Sequence, residues 1–326
     1  MEFDLIELIR ARAAVRREDV LLGIGDDAAL LRPPAGHALA VAVDTLLEGV
    51  HFPVGTAPAD IGWKALAVNL SDLAAMGATP AWALLSLTLP GADRRFVEGF
   101  LDGFTALAEP HRLALVGGDT TRGPLAVSVT VHGFVPEAQA LRRDGAKAGD
   151  AIFVTGTLGD AAAGLACLDR ERADADRLLT ASVDSRKALI GRLNRPTPRV
   201  AAGQLLRGVA SACIDVSDGL LADLGHVCRA SGVGAVLDAD ALPLSSALLT
   251  LFADDARDFA LRGGDDYELC FTVPSERAAD LIADLSRQGC GVARIGRIVA
   301  EDGLAVRDAA GRSVAVSASG WDHFRS

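Results

Sequence analysis

Apolar positions along the chain switch between a helical and an alternating period. In "PADIGWKALAVNLSDLAAMG" the residues Trp63, Leu66, Leu70 and Leu73 recur at helical spacing, which predicts a helix over about 58–76 that Gly77 stops. Phe96, Phe100, Phe104 and Leu107 predict a second helix over about 93–109, and Phe3, Ile6 and Ile9 a short amphipathic one at the N-terminus. Extended segments are expected at 26–32 and 38–46, with strands at 82–89, 113–116 and 125–135. The polar, glycine-containing stretch "PEAQALRRDGAKAGD" lies between two β-like runs and reads as a domain junction, placing the domains at 1–138 and 148–326. Beyond it come a buried strand "AIFVTG", a glycine turn with helix "TLGDAAAGLACL", and an Arg- and Asp-rich stretch at 169–195 that reads as solvated helix. Helices at 197–210 and 218–231 then alternate with strands at 212–216 and 234–238, and further strands lie near 267–273 and 292–298. The alternation predicts an α/β (α+β) architecture: an N-terminal sheet with helices on one face, and a C-terminal α/β domain.

Composition narrows what such a fold can do. A chain of 326 residues exceeds one typical core, so two domains, or one with a large addition, are expected, and half of its residues are apolar, enough for a full core. Lys plus Arg number 32 against 43 Asp plus Glu, a net charge of -11, with no basic run to track a phosphate backbone; nucleic acid is not an expected partner. The five scattered cysteines form neither a disulfide framework nor a zinc knuckle, which is cytosolic usage. The N-terminal residues interrupt their apolar positions with charges, so neither a secretion signal nor a membrane span is expected, and the cytoplasm is the expected compartment.

The chemistry concentrates in aspartates. "GIGDDAAL", "AVDTLLEGVHF", "VGGDTTRG", "CIDVSDG" and "RGGDDYEL" each set an acid where an apolar strand gives way to a Gly, Ser or Thr turn, and "NLSDLAAMG" sets Asp72 inside an apolar helix. One such turn is ordinary loop chemistry, and Asp218 before Gly219 could as well cap a helix. Six together need a counter-charge. All are oxygen donors with no His or Cys placed near enough in sequence to suggest zinc, so a hard cation is implied, and Mg2+ fits better than Ca2+ because no complete calcium loop occurs. Separated acidic sites suggest two or more Mg2+ ions carrying a polyphosphate.

A nucleotide would have to be held without the usual motifs. No P-loop is present, and the match of "GIGDDA" to a dinucleotide fingerprint is rejected because two aspartates would face the pyrophosphate. Arg122, Arg142 and Arg143 are the basic candidates for phosphate, and the glycines of "GGD" allow close backbone approach. His51 is either a core histidine or a hydrogen-bonding partner of substrate; Trp321 is either a tail anchor or a platform for a cationic heterocycle.

Ten blocks, in order, carry a resemblance: "IGDDAALL", "VDTLLEGVHF", "KALAVNLSDLAAMGATP", "VGGDTTRGPL", "HGFVP", "GAKAGD", "VTGTLGDAAAGL", "IDVSDGL", "GGDDYELCFTVP" and "GWDHF". Over essentially its whole length the chain resembles the thiamine-monophosphate kinases, of the aminoimidazole ribonucleotide synthetase-like superfamily. The resemblance implies a homodimer in which the N-terminal mixed sheets join. It further implies ATP-dependent conversion of thiamine monophosphate to thiamine diphosphate with several Mg2+ ions. It makes Asp27, Asp44, Asp72, Asp119, Asp215 and Asp218 metal ligands, and sets Gly118, Asp119, Arg143 and Ser217 toward ATP. His51, Asp265 and Trp321 would face thiamine phosphate. Two positions depart from the family pattern: Ala42 and Val43 stand where Ser or Thr is frequent, and Asp265 where Glu is usual, one methylene shorter. Competing readings are a related enzyme acting on a different phosphorylated heterocycle, or a non-catalytic ATP/Mg2+ module. A selenophosphate synthetase is disfavoured because no cysteine precedes Cys167.

Overall fold

In the computed structural model, residues 2–13, 15–169 and 183–314 are described. They fall into two units, Met1–Leu73 with Ala78–Ala138, and Ala74–Gly77 with Gln139–Ser326. The first unit runs α1 (Glu2–Arg12), β1 (Val20–Leu22), β2 (Leu30–Leu31), β3 (His37–Leu47), α2 (Pro58–Ala75), β4 (Thr79–Leu89), α3 (Arg94–Ala108), β5 (Ala114–Arg122) and β6 (Ala126–Pro136). Its main sheet has the order β3-β6-β4-β5, in which only β4 and β5 pair in parallel.

Period-two alternation decides the faces of this sheet. Val127, Val129 and Val131 of β6 and Leu85, Leu87 and Leu89 of β4 are buried, while the residues between them are more exposed. On the buried face Leu73 of α2 approaches the backbone at Gly133. The α3 helix lies against α2 and starts at Asp93, whose carboxylate accepts from the N–H groups of Arg95 and Phe96. On the other face Leu39, Val41, Val43 and Leu47 of β3 are 45%, 55%, 61% and 40% exposed, an apolar strip left open by the described residues of this unit.

The segment expected as one extended run at 26–32 is instead part of a two-stranded antiparallel ribbon, β1 with β2, bracketing the "GIGDDAA" loop. Val15, Val20, Ala29 and Leu31 pack on Trp82, Phe134, Ala114 and Val116. Trp82 Nε1 donates to Asp19 Oδ1 at 3.1 Å, and Arg17 forks the same carboxylate at 2.8 and 2.6 Å. Those bonds fix the base of the acidic loop.

The second unit contains β7 (Ala151–Thr155), α4 (Asp160–Leu168), α5 (Val183–Asn194), α6 (Val200–Leu206), β8 (Ala212–Asp215), α7 (Leu220–Ser231), β9 (Gly234–Asp238), α8 (Ser246–Phe252), α9 (Ala256–Arg262), β10 (Leu269–Val273), α10 (Ala278–Arg287), β11 (Val292–Val299) and β12 (Leu304–Arg307). Six strands form one mixed sheet in the order β12-β9-β11-β7-β10-β8. Its core gathers Ile152, Val154, Ile214, Leu224, Leu237 and Ile295, and a smaller cluster joins Cys167 and Leu189 to Leu248 and Leu251.

Helices α8, α9 and α10 are not anticipated by periodicity, because each buries only two or three side chains on a short amphipathic stretch. The helix expected at 197–210 is trimmed to α6, and of the expected solvated helix at 169–195 the described part is α5. All five cysteines are buried and unpaired. No described helix is long and apolar enough to cross a membrane.

Candidate functional site

In the first unit, four sequence-predicted aspartates take different supports. Asp27 lies exposed in the loop between β1 and β2, and no side chain among the described residues partners its carboxylate. Asp44 lies within β3 and Asp119 within β5, so neither marks a strand end as the apolar run alone suggests. The reason is pairing: β6 continues the ladder past Asp44, and β4 continues it past Asp119. Asp72 lies in α2, half-buried, as its helical setting implies.

Asn69 ties two of these together. Fully buried, it accepts the Asp44 N–H on Oδ1 at 3.0 Å and donates from Nδ2 to the Ala65 carbonyl at 2.9 Å. Asp72 follows one turn later on α2, so this bond sets the Asp72 turn beside Asp44. Asp119 is elsewhere. It occupies the opposite edge strand, level with Ser86, Ser128 and Thr45 across the sheet, where Thr45 and Ser128 hydroxyls meet at 2.7 Å. Gly118 beside it has φ 153°, and a Cβ there would stand 1.8 Å from the Leu85 carbonyl oxygen. The close approach that requires this glycine is therefore to β4.

His51 sits half-buried in the turn after β3. The Leu47 N–H donates to its Nδ1 at 3.0 Å, which in the neutral ring places the proton on Nε2 as a donor. Buried Lys64 donates to the His51 carbonyl at 2.9 Å and fixes the turn.

In the second unit, Asp215 ends β8 and is 4% exposed, while Ser217 and Asp218 lie in the turn before α7. Asp218 is not the N-cap of this helix; that position is Gly219. Instead the buried Asp223 carboxylate accepts from both the Ser217 and the Asp218 N–H at 3.0 Å. Burial, then Asp215, push the Asp223 carboxyl up to about 7, and Asp218 adds to the rise against the pull of the two N–H groups. Asp215 and Asp218 thus lie near enough to the Asp223 carboxyl to disfavour its charge. His226, on α7, is lowered by burial and then by Arg229 and Arg143, while Asp218 opposes this, so His226 senses both candidates.

The structure also separates the arginines that the sequence leaves equivalent. Arg142 forks Asp144 at 2.8 and 2.6 Å, whereas Arg143 has no ion pair among the described residues. Asp265 lies in the turn before β10, where its N–H donates to the Ser217 carbonyl at 2.8 Å. Trp321 lies outside the described residues. Asp223, His226, Asp266 and Glu268 are absent from the sequence-derived set. The first has a usable signal, an acid in the opening turn of the helix that follows "DVSDG", but the partners of the other two carboxylates are distant in sequence: the Gly159 and Ala161 N–H groups for Asp266, and Arg192 and Arg199 for Glu268.

Residues 25–135 match the AIR synthase related protein N-terminal domain, and residues 147–309 the corresponding C-terminal domain. The thiamine-monophosphate kinase of Salmonella typhimurium is 49% identical over 326 residues, covering 99% of this chain and 98% of that protein. The chain belongs to the thiamine-monophosphate kinase family. Among solved structures, the thiamine-monophosphate kinase of Stenotrophomonas maltophilia superposes with a TM-score of 0.86 at 56% identity, covering 94% of this chain and 96% of that one. AaThiL complexed with AMPPCP and TMP superposes at 0.78 with 35% identity, covering 99% and 97%. The likeness carried by the ten ordered motifs therefore holds for the family and for its two-domain fold.

For a thiamine-monophosphate kinase the remaining question is whether these acids suit Mg2+. The donors are carboxylates on strands, turns and one helix, with uncompensated Asp27 and Asp119 among them. Among the described residues no three His, Cys, Asp or Glu side chains converge into a preformed cage. Carboxylate oxygens are hard donors of the kind Mg2+ takes, one or two at a time, with water and substrate phosphate completing its shell.

Proposed function

We propose that this chain transfers the γ-phosphoryl group of ATP directly and in line to thiamine monophosphate, giving thiamine diphosphate and ADP. The observation that carries the reading is relatedness along the whole chain, 99% of it at up to 49% identity, to thiamine-monophosphate kinases. AaThiL, 35% identical, was solved with AMPPCP and TMP, an ATP analogue and the acceptor of this reaction.

The roles follow from the chemistry of each group. The attacking atom is a phosphate oxygen whose second pKa, near ~6, leaves it largely ionised at neutral pH, so no general base is needed. The barrier is repulsion between two anions. Asp27, Asp44, Asp72, Asp119, Asp215 and Asp218 would hold several Mg2+ ions, which when bound supply positive charge between donor and acceptor phosphates. Gly118, Asp119, Arg143 and Ser217 face ATP, Arg143 with its guanidinium free of a carboxylate partner among the described residues. His51 donates from Nε2, and Asp265 with Trp321 receives the thiamine moiety. Purified protein given ATP, Mg2+ and thiamine monophosphate should form thiamine diphosphate, and should not do so from thiamine or after chelation. Product from thiamine alone, or none at all, refutes the reading.

A homodimer belongs to the same proposal, with the cytoplasm as its compartment. Asp44 and Asp119 stand on the two edge strands, three strand spacings or roughly 14 Å apart, too far to share one ion within a chain. A second copy joining its sheet edge to edge would bring its own β5 toward this β3 and cover the exposed strip of Leu39, Val41 and Val43. Val43→Glu should therefore convert a dimer into a monomer in sedimentation velocity and lower activity with it. A wild-type monomer at micromolar concentration would count against the pairing.

A further inference from the structure

Residues 265–268 fold as an alternation that the proposed reaction does not yet use. Asp265 and Tyr267 have φ of 69° and 50°, the left-handed region that costs a non-glycine residue energy. Two such residues within three positions need anchors, and the even-numbered residues provide them. Asp266, 1% exposed, accepts the Gly159 N–H at 2.6 Å and the Ala161 N–H at 3.2 Å. Fully buried Glu268 accepts the Thr155 hydroxyl at 2.6 Å, Arg192 at 2.8 Å, and both arms of the Arg199 fork at 2.5 and 2.6 Å. Arg192 also donates to the Asp266 carbonyl at 3.2 Å.

The backbone of this turn is joined to the neighbouring acidic turn. Asp265 and Tyr267 N–H groups donate to the Ser217 and Val216 carbonyls, and the Val216 N–H donates to the Glu268 carbonyl, each at 2.8 Å. Within the turn itself, the Tyr267 hydroxyl donates to Asp265 Oδ1 at 3.1 Å. Tyr267 is the only tyrosine of the chain and is 8% exposed, so its ring is fixed by packing. A short carboxylate with two torsions, held by a rigid phenol, has one preferred direction.

We infer that Tyr267 is a positioning residue for substrate: anchored through Asp266 and Glu268, its hydroxyl aims the Asp265 carboxylate at the cationic heterocycle of thiamine phosphate. The inference rests on the proposed function, in that Asp265 must meet the acceptor. It also assigns a consequence to the shortened side chain, since an Asp reaches less far than a Glu and gains more from being held in one direction.

The test is Tyr267→Phe in the full-length protein, which removes one oxygen and keeps the ring. KM for thiamine monophosphate should rise about tenfold, the size of one lost hydrogen bond to a charged group. KM for ATP and kcat should stay within about twofold on the same grounds. In an Asp265→Asn background the same change should add little further to KM, because the two residues act through one contact. Equal effects on both substrates, or full additivity in the double variant, would mean that Tyr267 only supports the fold and would overturn the inference. Wild-type protein that neither binds nor phosphorylates thiamine monophosphate would instead remove the reading on which it rests, and the inference with it. Wild-type activity accompanied by an unchanged KM in Tyr267→Phe would overturn the inference alone.

Discussion

Replacing Asp72 with Asn is expected to lower kcat for thiamine diphosphate formation by about 10²–10³-fold, the range seen when one preorganised electrostatic contact to a transition state is removed. The site should feel this change more than the fold does. Asn fills nearly the volume of Asp and deletes only the charge, in a helix whose packing is carried by Leu66, Leu70 and Leu73, each at most 1% exposed. Asn69 remains to hold the turn against β3. Stability by denaturant titration should therefore stay within about 1 kcal/mol, the scale of a modest polar substitution. The Mg2+ concentration required for half-maximal rate should rise as well, since a carboxylate is exchanged for a neutral amide. A rate loss with unchanged Mg2+ dependence would argue that Asp72 touches substrate directly. A collapse of stability would make it a structural carboxylate, and the metal assignment in α2 would fail.

Legibility of this protein from its sequence divides along a physical line. What depends on local period is readable. The apolar spacing around Leu66 and Leu70 gives α2, and the phenylalanine ladder gives α3, with Phe100 and Phe104 both buried. The acidic turns are visible too, because adjacent like charges are expensive unless something collects them, and that marks positions without showing what they hold. Sheet order is not readable. The strand β6 follows β5 in sequence yet sits between β3 and β4, and only that insertion sends Asp44 and Asp119 to opposite edges. Charge pairing across long separations is also hidden. Arg192 belongs to a stretch that composition marks as solvated, but it turns inward to Glu268, 76 residues away, and leaves the polar look of its helix to its neighbours. A carboxylate such as Glu268 thus reads as part of a motif, and only the structure identifies it as the buried end of three basic and hydroxyl contacts.

The largest loss of stability should come from a substitution that adds a single methyl group. Helices α2 and α3 meet backbone to backbone: a Cβ on Gly103 would stand 1.7 Å from the Ala59 carbonyl oxygen, and one on Gly62 2.0 Å from the Phe100 carbonyl oxygen. Neither obstacle is a movable side-chain tip, so Gly103→Ala can be accommodated only by moving one helix off the other. Overpacking of this kind costs about 1–3 kcal/mol or more, against about 1 kcal/mol gained from helix propensity, and the steric side should win by about 2 kcal/mol. Gly191, exposed in α5 with open space where a Cβ would stand, supplies the opposite case. There Gly→Ala should stabilise by up to about 1 kcal/mol, because only propensity acts. Denaturant midpoints of the two variants should therefore move in opposite directions from the wild type. Gly103→Ala should also slow turnover where α2 is the helix displaced, since α2 carries Asp72 and Asn69. Equal midpoints would mean that α2 and α3 have room between them, and that the contact holding the Asp72 turn beside Asp44 is looser than the glycines imply.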